Sequence, residues 1–243
     1  MADSRAALPA RSGTLIPRPL GTHSPGERPP SLGEQFDSLE QQHGTNTLGM
    51  WVFLASELMF FGMLFTTYTA YRLHFPDGFA EGSRHLDLVL GGVNTAVLIV
   101  STLMMALAEH SAQRGDRRWL PRYLALAILL GTLFLGLKGL EYYEHFQEQL
   151  VPGIAFSFGG PAGPELARDQ VELFFLFYYA MTGLHAVHLT IGVGVACIML
   201  VLARRGNFLG VEHWPLEMLG LYWNFVDIIW LFLLPLLYLV GLP

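Results

Sequence analysis

The chain has 243 residues, 52% of them hydrophobic and only 14% charged, against about 25% charged in ordinary soluble domains. With a mean hydropathy of +0.41, that is the composition of a polytopic membrane protein. The net charge of −6 excludes nucleic acid as a partner, because too few basic side chains remain to track a phosphate backbone. Cys197 is the only cysteine, which excludes a disulfide, a cysteine-based zinc site or an iron–sulfur cluster within the chain.

Residues 1–46 carry Pro9, Pro17, Pro19, Pro25, Pro29 and Pro30 among Ser, Gly and scattered Arg. They offer too little apolar surface to fold, so a disordered tail is expected. They also lack an apolar h-region, so no secretory signal is expected there. Residues 47–243 read as one membrane domain. Five apolar segments, at about 48–71, 86–108, 121–145, 171–203 and 216–240, are each long enough to span as a helix, which needs roughly 20 residues. A helix also satisfies its backbone polar groups internally, as lipid demands. The expected fold is therefore all-α, a bundle of five transmembrane helices. Breakers mark the connections: Pro76-Asp-Gly78, then Arg114-Gly-Asp-Arg-Arg118, a long Gly/Pro-rich loop between Gln147 and Gln170, and Pro215.

Orientation follows from the basic residues. Arg5, Arg11, Arg18 and Arg28, then Arg114, Arg117, Arg118 and Arg122, then Arg204 and Arg205 fall on the side of the N-terminus. Only Arg72, Arg84 and Arg168 fall on the other. The N-terminus is expected in the cytoplasm and the C-terminus outside.

Several polar residues stand where lipid would surround them. Glu57 lies near the centre of the first segment, where an acidic group costs about 2.5–3.5 kcal/mol to insert. It should face protein or water, either as a functional carboxylate or as a neutral hydrogen-bonding one. Asn94 and Thr95 fall in the second segment, which ends at Glu109-His110. The third carries Lys138, Glu141, Glu144 and His145; Lys138 and Glu141 are three apart and can pair on one face. The fourth carries His185 and His188, also three apart, beside a stripe of Thr182, Ala186, Thr190 and Gly194 that predicts close approach of a neighbouring backbone. The fifth holds Tyr222, Trp223, Asn224 and Asp227, followed by Trp230 and Pro235.

The two histidines invite a metal or haem reading. A bis-histidine haem would need a second intramembrane histidine on another helix, and His110 and His145 read as lying at helix ends. Interhelical hydrogen bonding or lipid headgroup contact is the plainer role, and no metal is assigned. No nucleotide, phosphate-cradle or nucleophile motif stands out, so no catalytic residue is expected. A small proton channel or transporter built on Glu57, Lys138, Glu141 and the histidines is the alternative from another class, although no inverted repeat supports it.

Taken in order, Ala55-Ser-Glu57-Leu-Met-Phe-Phe, Asn94-Thr95, Glu109-His-Ser111, Gly115-Asp-Arg117, Glu141-Tyr-Tyr-Glu144, Thr182-Gly-Leu-His185-Ala-Val-His188 and Tyr222-Trp-Asn-Phe-Val-Asp227 resemble subunit III of the haem-copper respiratory oxidases, from about residue 46 onward. The resemblance implies a subunit with no cofactor of its own, packed against subunit I, with subunit II, in a bacterial plasma membrane; haem and copper belong to the catalytic partner. It implies structural phospholipid in a cleft, support of the partner through turnover and help with proton uptake. Glu57 matches the family's intramembrane carboxylate near the lipid cleft, His185 and His188 its paired histidines, and Glu141 and Glu144 its acidic pair. Lys138, Asn224 and Asp227 complete the candidate proton or lipid sites. Two departures stand out. Many members have seven helices rather than five, so part of the cleft wall must come from elsewhere. The family usually has His where Asn224 stands, and asparagine keeps the hydrogen bonds but cannot titrate. The leading expectation is the accessory subunit of a proton-pumping cytochrome c oxidase; the alternatives are subunit III of a quinol oxidase or the related nitric oxide reductase accessory protein.

Overall fold

The computed structural model describes residues 39–153, 156, 165–205 and 214–241. Within them the chain forms six helices: α1 (Leu39–His74), α2 (Pro76–Arg84), α3 (Leu88–Gln113), α4 (Leu120–Gln147), α5 (Glu165–Arg204) and α6 (Trp214–Tyr238). All but α2 are long and apolar enough to cross a membrane, so the five expected spans are present. Each begins or ends beyond its apolar run, α5 at Glu165 rather than near 171. Hydropathy marks only the part of a helix that lipid requires, and polar helix formers such as Glu165-Leu-Ala-Arg-Asp-Gln170 extend it. Of the tail expected to be disordered, residues 1–38 lie outside the described residues, while 39–46 are helical and open α1, a correction to that reading; residues 154–155 and 157–164 of the Gly/Pro-rich loop also lie outside.

Contacts fix the directions. Glu57 meets His188 and Tyr68 meets Phe174, so α1 and α5 run antiparallel. Phe53 meets Tyr222 and Tyr68 meets Leu236, so α1 and α6 run parallel. Thr95 pairs with Trp230 and Thr102 with Asp227, so α3 opposes α6; Phe134 meets His185 and His145 meets Phe175, so α4 opposes α5, and Ser101 ties α3 to Ala127 of α4.

The core gathers on α6. Trp223 and Trp230 are buried, and glycines make room for Trp223 from two sides. A Cβ on Gly131 would stand 3.0 Å from its ring, and one on Gly192 would stand 3.1 Å from Tyr222 and 3.5 Å from Trp223. The small-residue stripe expected on α5 makes contact at its start, where Thr182 is buried against Tyr142, but not further along: Thr190 is exposed and Gly194 has nothing within 4 Å. The close approach runs instead along the Met181, His185, Leu189, Gly192 and Ala196 face. Helical spacing identifies such stripes but does not say which one meets a neighbour.

The segment at Pro76-Asp-Gly78, expected as a turn, is the helix α2. Pro76 sits in its first turn, where a missing N–H costs nothing. α2 lies close on α5, and a Cβ on Gly82 would stand 2.4 Å from the Phe174 ring. From there it serves α6, whose last carbonyls have no intrahelical partner. Ser83 Oγ donates to the Leu237 carbonyl at 2.7 Å, and Tyr68 from α1 donates to that of Leu236 at 2.8 Å. At α3 the same need is met at the other terminus, where Asp87 Oδ1 accepts the Val89 and Leu90 N–H groups as an N-cap.

Gly82→Ala forces the buried Phe174 ring to move and is expected to cost about 1–3 kcal/mol. Gly139→Ala, facing open space inside α4, removes glycine's helix penalty and should stabilise by up to about 1 kcal/mol. Thermal unfolding of the purified chain in detergent checks both, and equal midpoints for the two variants would contradict the seating of α2.

Candidate functional site

Three polar clusters lie between the helices. The first is closed on itself. Lys138 and Glu141, one turn apart on α4, are both buried, and Lys138 Nζ donates to Glu141 Oε2 at 2.9 Å. Lys138 also donates to the hydroxyls of Tyr178 on α5 at 3.0 Å and Tyr238 on α6 at 2.8 Å. Those hydroxyls in turn donate to Glu141 Oε1 at 2.7 and 2.5 Å. All three ammonium protons are used, and the carboxylate receives three hydrogen bonds. A buried ion pair is tolerable only when its remaining donors and acceptors are met in this way. The face of Trp230 lies 5.1 Å from Nζ and adds a cation–π contact. His145, read from sequence as a helix-end residue, is buried one turn beyond Glu141 with its ring edge-on to Phe175 and Tyr178.

The second cluster joins α1 to α5. His188 Nε2 stands 3.1 Å from Glu57 Oε2, both side chains being partly buried. His188 Nδ1 stands 2.8 Å from the Leu184 carbonyl, which can only accept, so Nδ1 carries a proton. Nε2 therefore faces the Glu57 carboxyl as its hydrogen-bond partner. Phe61 packs edge-on to the imidazole, and Tyr222 Oη donates to the His188 carbonyl at 2.8 Å.

The third lies between α3 and α6. Thr102 Oγ1 donates to Asp227 Oδ2, and Trp230 Nε1 donates to Thr95 Oγ1 at 2.9 Å. Asp227 lines a cavity of about 240 Å³ with Thr95, Thr102 and Asn224. On the other side of α6, Asn224 also borders an apolar groove of about 560 Å³ against α1, walled by Trp51, Leu54, Leu58, Phe65, Phe225 and Phe232.

The candidate residues are therefore distributed over separate sites. His185 and His188 do not converge, because three residues turn a helix by less than a full circle. His185 is buried against Phe134 and Trp230 while His188 faces α1. Among the described residues no group of three or more His, Cys, Asp or Glu is placed to hold a metal ion. Glu141 and Glu144 also separate, Glu141 into the core and Glu144 to the exposed side of α4. Asn224 is exposed, and Glu57 points to His188 and is not among the residues lining the α1–α6 groove. Asn94 and His185 are buried with no hydrogen-bond partner among the described residues; buried water ordinarily satisfies such groups. Tyr178, Tyr238 and Thr102 were not singled out from the sequence. Their signal was a hydroxyl inside an apolar span, since a buried tyrosine hydroxyl needs a partner.

The family model for cytochrome c oxidase subunit III matches residues 170–242, which carry Tyr178, His185, His188, Asn224, Asp227 and Tyr238. Cytochrome c oxidase subunit 3 of Synechocystis is 30% identical over 193 residues, covering 79% of this chain and 74% of the relative. The chain belongs to the cytochrome c oxidase subunit III family. Within that family it is also similar to the heme-copper oxidase subunit I+III of Aeropyrum pernix, at 32% identity over 79% of this chain and 22% of that longer one. A probable quinol oxidase subunit 3 of Staphylococcus haemolyticus is 25% identical over 85% of this chain and 94% of the relative.

For this subunit III chain, Lys138→Met leaves a buried carboxylate without its counter-ion and is expected to cost about 3–5 kcal/mol. Replacing both charges, Lys138→Met with Glu141→Leu, should recover most of that loss. Denaturant unfolding in mixed micelles measures both variants; a double variant no more stable than the single one would contradict the closed pair.

Proposed function

We propose that this chain is the accessory, non-redox subunit III of a proton-pumping haem-copper oxidase in a bacterial plasma membrane, with its N-terminus cytoplasmic and its C-terminus outside. It packs against subunit I of a complex that also holds subunit II. That partner carries the haem and copper, while the chain alone is not catalytic. The observation that carries this reading is the Aeropyrum pernix relative, in which subunits I and III form a single protein. A fused chain keeps its two parts side by side, which supports a partner of the subunit I kind here. The electron donor is cytochrome c by the Synechocystis relative and quinol by the Staphylococcus haemolyticus one; of these we favour the first, on the higher identity.

The polar sites support a helper's role. The Lys138 cluster is closed by its own hydrogen bonds, so it braces α4, α5 and α6 and offers no free group for conduction. The Glu57–His188 pair sets a carboxyl against an imidazole on a face that is still partly open, which suits support of a partner's proton uptake. The α1–α6 groove has the apolar lining and volume to take phospholipid acyl chains, with Asn224 at its edge. Asp227, held by Thr102, positions that stretch of α6.

Solubilised native membranes are expected to yield this chain co-migrating with a haem-bearing subunit I; recovery without such a partner would overturn the reading. Glu57→Gln keeps a donor toward His188 and should leave assembly intact, while slowing proton uptake and shortening the enzyme's active lifetime in the assembled complex. An assembled variant with unchanged proton uptake and lifetime removes Glu57 from function, and loss of assembly makes its role structural.

A further inference from the structure

Arg114, Arg117 and Arg118 stand in the turn from α3 to α4 and Arg122 in the first turn of α4, and none of the three polar clusters uses them. The turn is ordered by its backbone. Gly115 has φ +72°, a left-handed conformation that glycine adopts without strain. The Gly115 N–H donates to the Ala112 carbonyl at 3.0 Å and the Asp116 N–H to that of Ser111 at 2.9 Å, closing the end of α3. The Tyr123 N–H donates to the Trp119 carbonyl at 3.0 Å, so α4 begins at once. Arg114, Arg117, Arg118 and Arg122 are all exposed on this short, fixed segment, and Asp116 is the only acid within it. Among the described residues no ion pair neutralises them.

Depth distinguishes this from a solvated charge run. Trp119 is 44% exposed, stacks on Tyr123 at 5.7 Å and lies under the Arg122 guanidinium at 5.1 Å. Exposed Trp and Tyr at the end of a span mark the level of the lipid headgroups. The buried Leu120 and Leu124 follow directly, and the exposed Leu126 and Leu129 carry an apolar surface from the turn toward the membrane middle. Arg204 and Arg205 end α5, which runs opposite to α4, and so stand at the same end of the bundle.

We propose that this turn binds the headgroup phosphate of an anionic phospholipid. Arg114, Arg117 and Arg118 offer planar donor forks suited to phosphate oxygens. Trp119 lies at the depth of the glycerol, and Leu126 and Leu129 take the start of an acyl chain. The site is separate from the α1–α6 groove, whose lining contains no basic residue. An acidic protein segment would also match the charge, but the aromatic and leucine surface continuing into the membrane favours a lipid.

The test reconstitutes the full-length chain in micelles with phosphatidylglycerol or phosphatidylcholine and counts the phospholipid retained by native mass spectrometry. The wild-type chain is expected to retain phosphatidylglycerol over phosphatidylcholine, and salt near about 0.5 M should weaken that preference, since screening shortens the reach of exposed charges. R117Q/R118Q should reduce phosphatidylglycerol retention roughly fivefold for each arginine removed, while R117K/R118K keeps most of it. The Gln variant leaves Arg114 and Arg122 to preserve topology, and an unchanged thermal midpoint in phosphatidylcholine confirms its fold. Should it misfold, the headgroup and salt dependence of the wild-type chain still decides. Absence of any preference for the anionic lipid in the wild-type chain overturns the proposal, as does undiminished retention in R117Q/R118Q. Undiminished retention together with loss of the haem-bearing partner from native membranes would identify a protein surface as the occupant, and equally overturns it.

Discussion

A lysine and a glutamate buried together inside a membrane bundle set the terms for the helices around them. Neither charge is stable there alone, and together they are stable only while Tyr178 and Tyr238 complete their hydrogen bonds. Because those tyrosines sit on α5 and α6, the register of three helices is tied to one electrostatic requirement. A slip of any one of them would leave a donor or acceptor unmet in a medium that offers no water.

α6 carries the consequences. It presents Trp223 and Trp230 to the other helices, receives Gly131 and Gly192 where they pass close, and supplies Asp227 to α3. Its C-terminal carbonyls are capped by Ser83 of α2 and Tyr68 of α1. α1 joins through side chains of which Glu57, Phe61 and Tyr68 are the principal ones, and it leaves an apolar groove beside α6. The arrangement is a closed polar centre, with the Glu57–His188 pair and an apolar groove toward its edge and a basic turn at one end.

Much of this was legible from residue spacing. Lys138 and Glu141 are three apart, and the expected ion pair is present. Intramembrane charge identified Glu57 before any partner was known. Other readings failed for one reason: helical periodicity says which residues share a face, and not what that face meets. His185 and His188 share a spacing but have different neighbours. Glu144 shares a motif with Glu141 yet lies on the exposed side, and the Thr182–Gly194 stripe turns away from the bundle along much of its length.

The linear order of residues determined the membrane class, the five spans, the family and the positions where polarity had to be explained. These depend on local composition and on transfer from water to lipid, which each segment settles by itself. Tertiary structure alone decided the partners: Tyr178 and Tyr238 for Glu141, His188 for Glu57, and Thr102 for Asp227. Those residues are far apart along the chain, from about 40 positions for Glu141 and Tyr178 to more than 130 for Glu57 and His188. No spacing rule reaches that far, because side-chain geometry repeats only within a few helical turns. Helix rotation and tilt select which polar groups meet. Glu57 was conspicuous in sequence as an isolated charge; in the fold it is hydrogen-bonded to His188 across two helices.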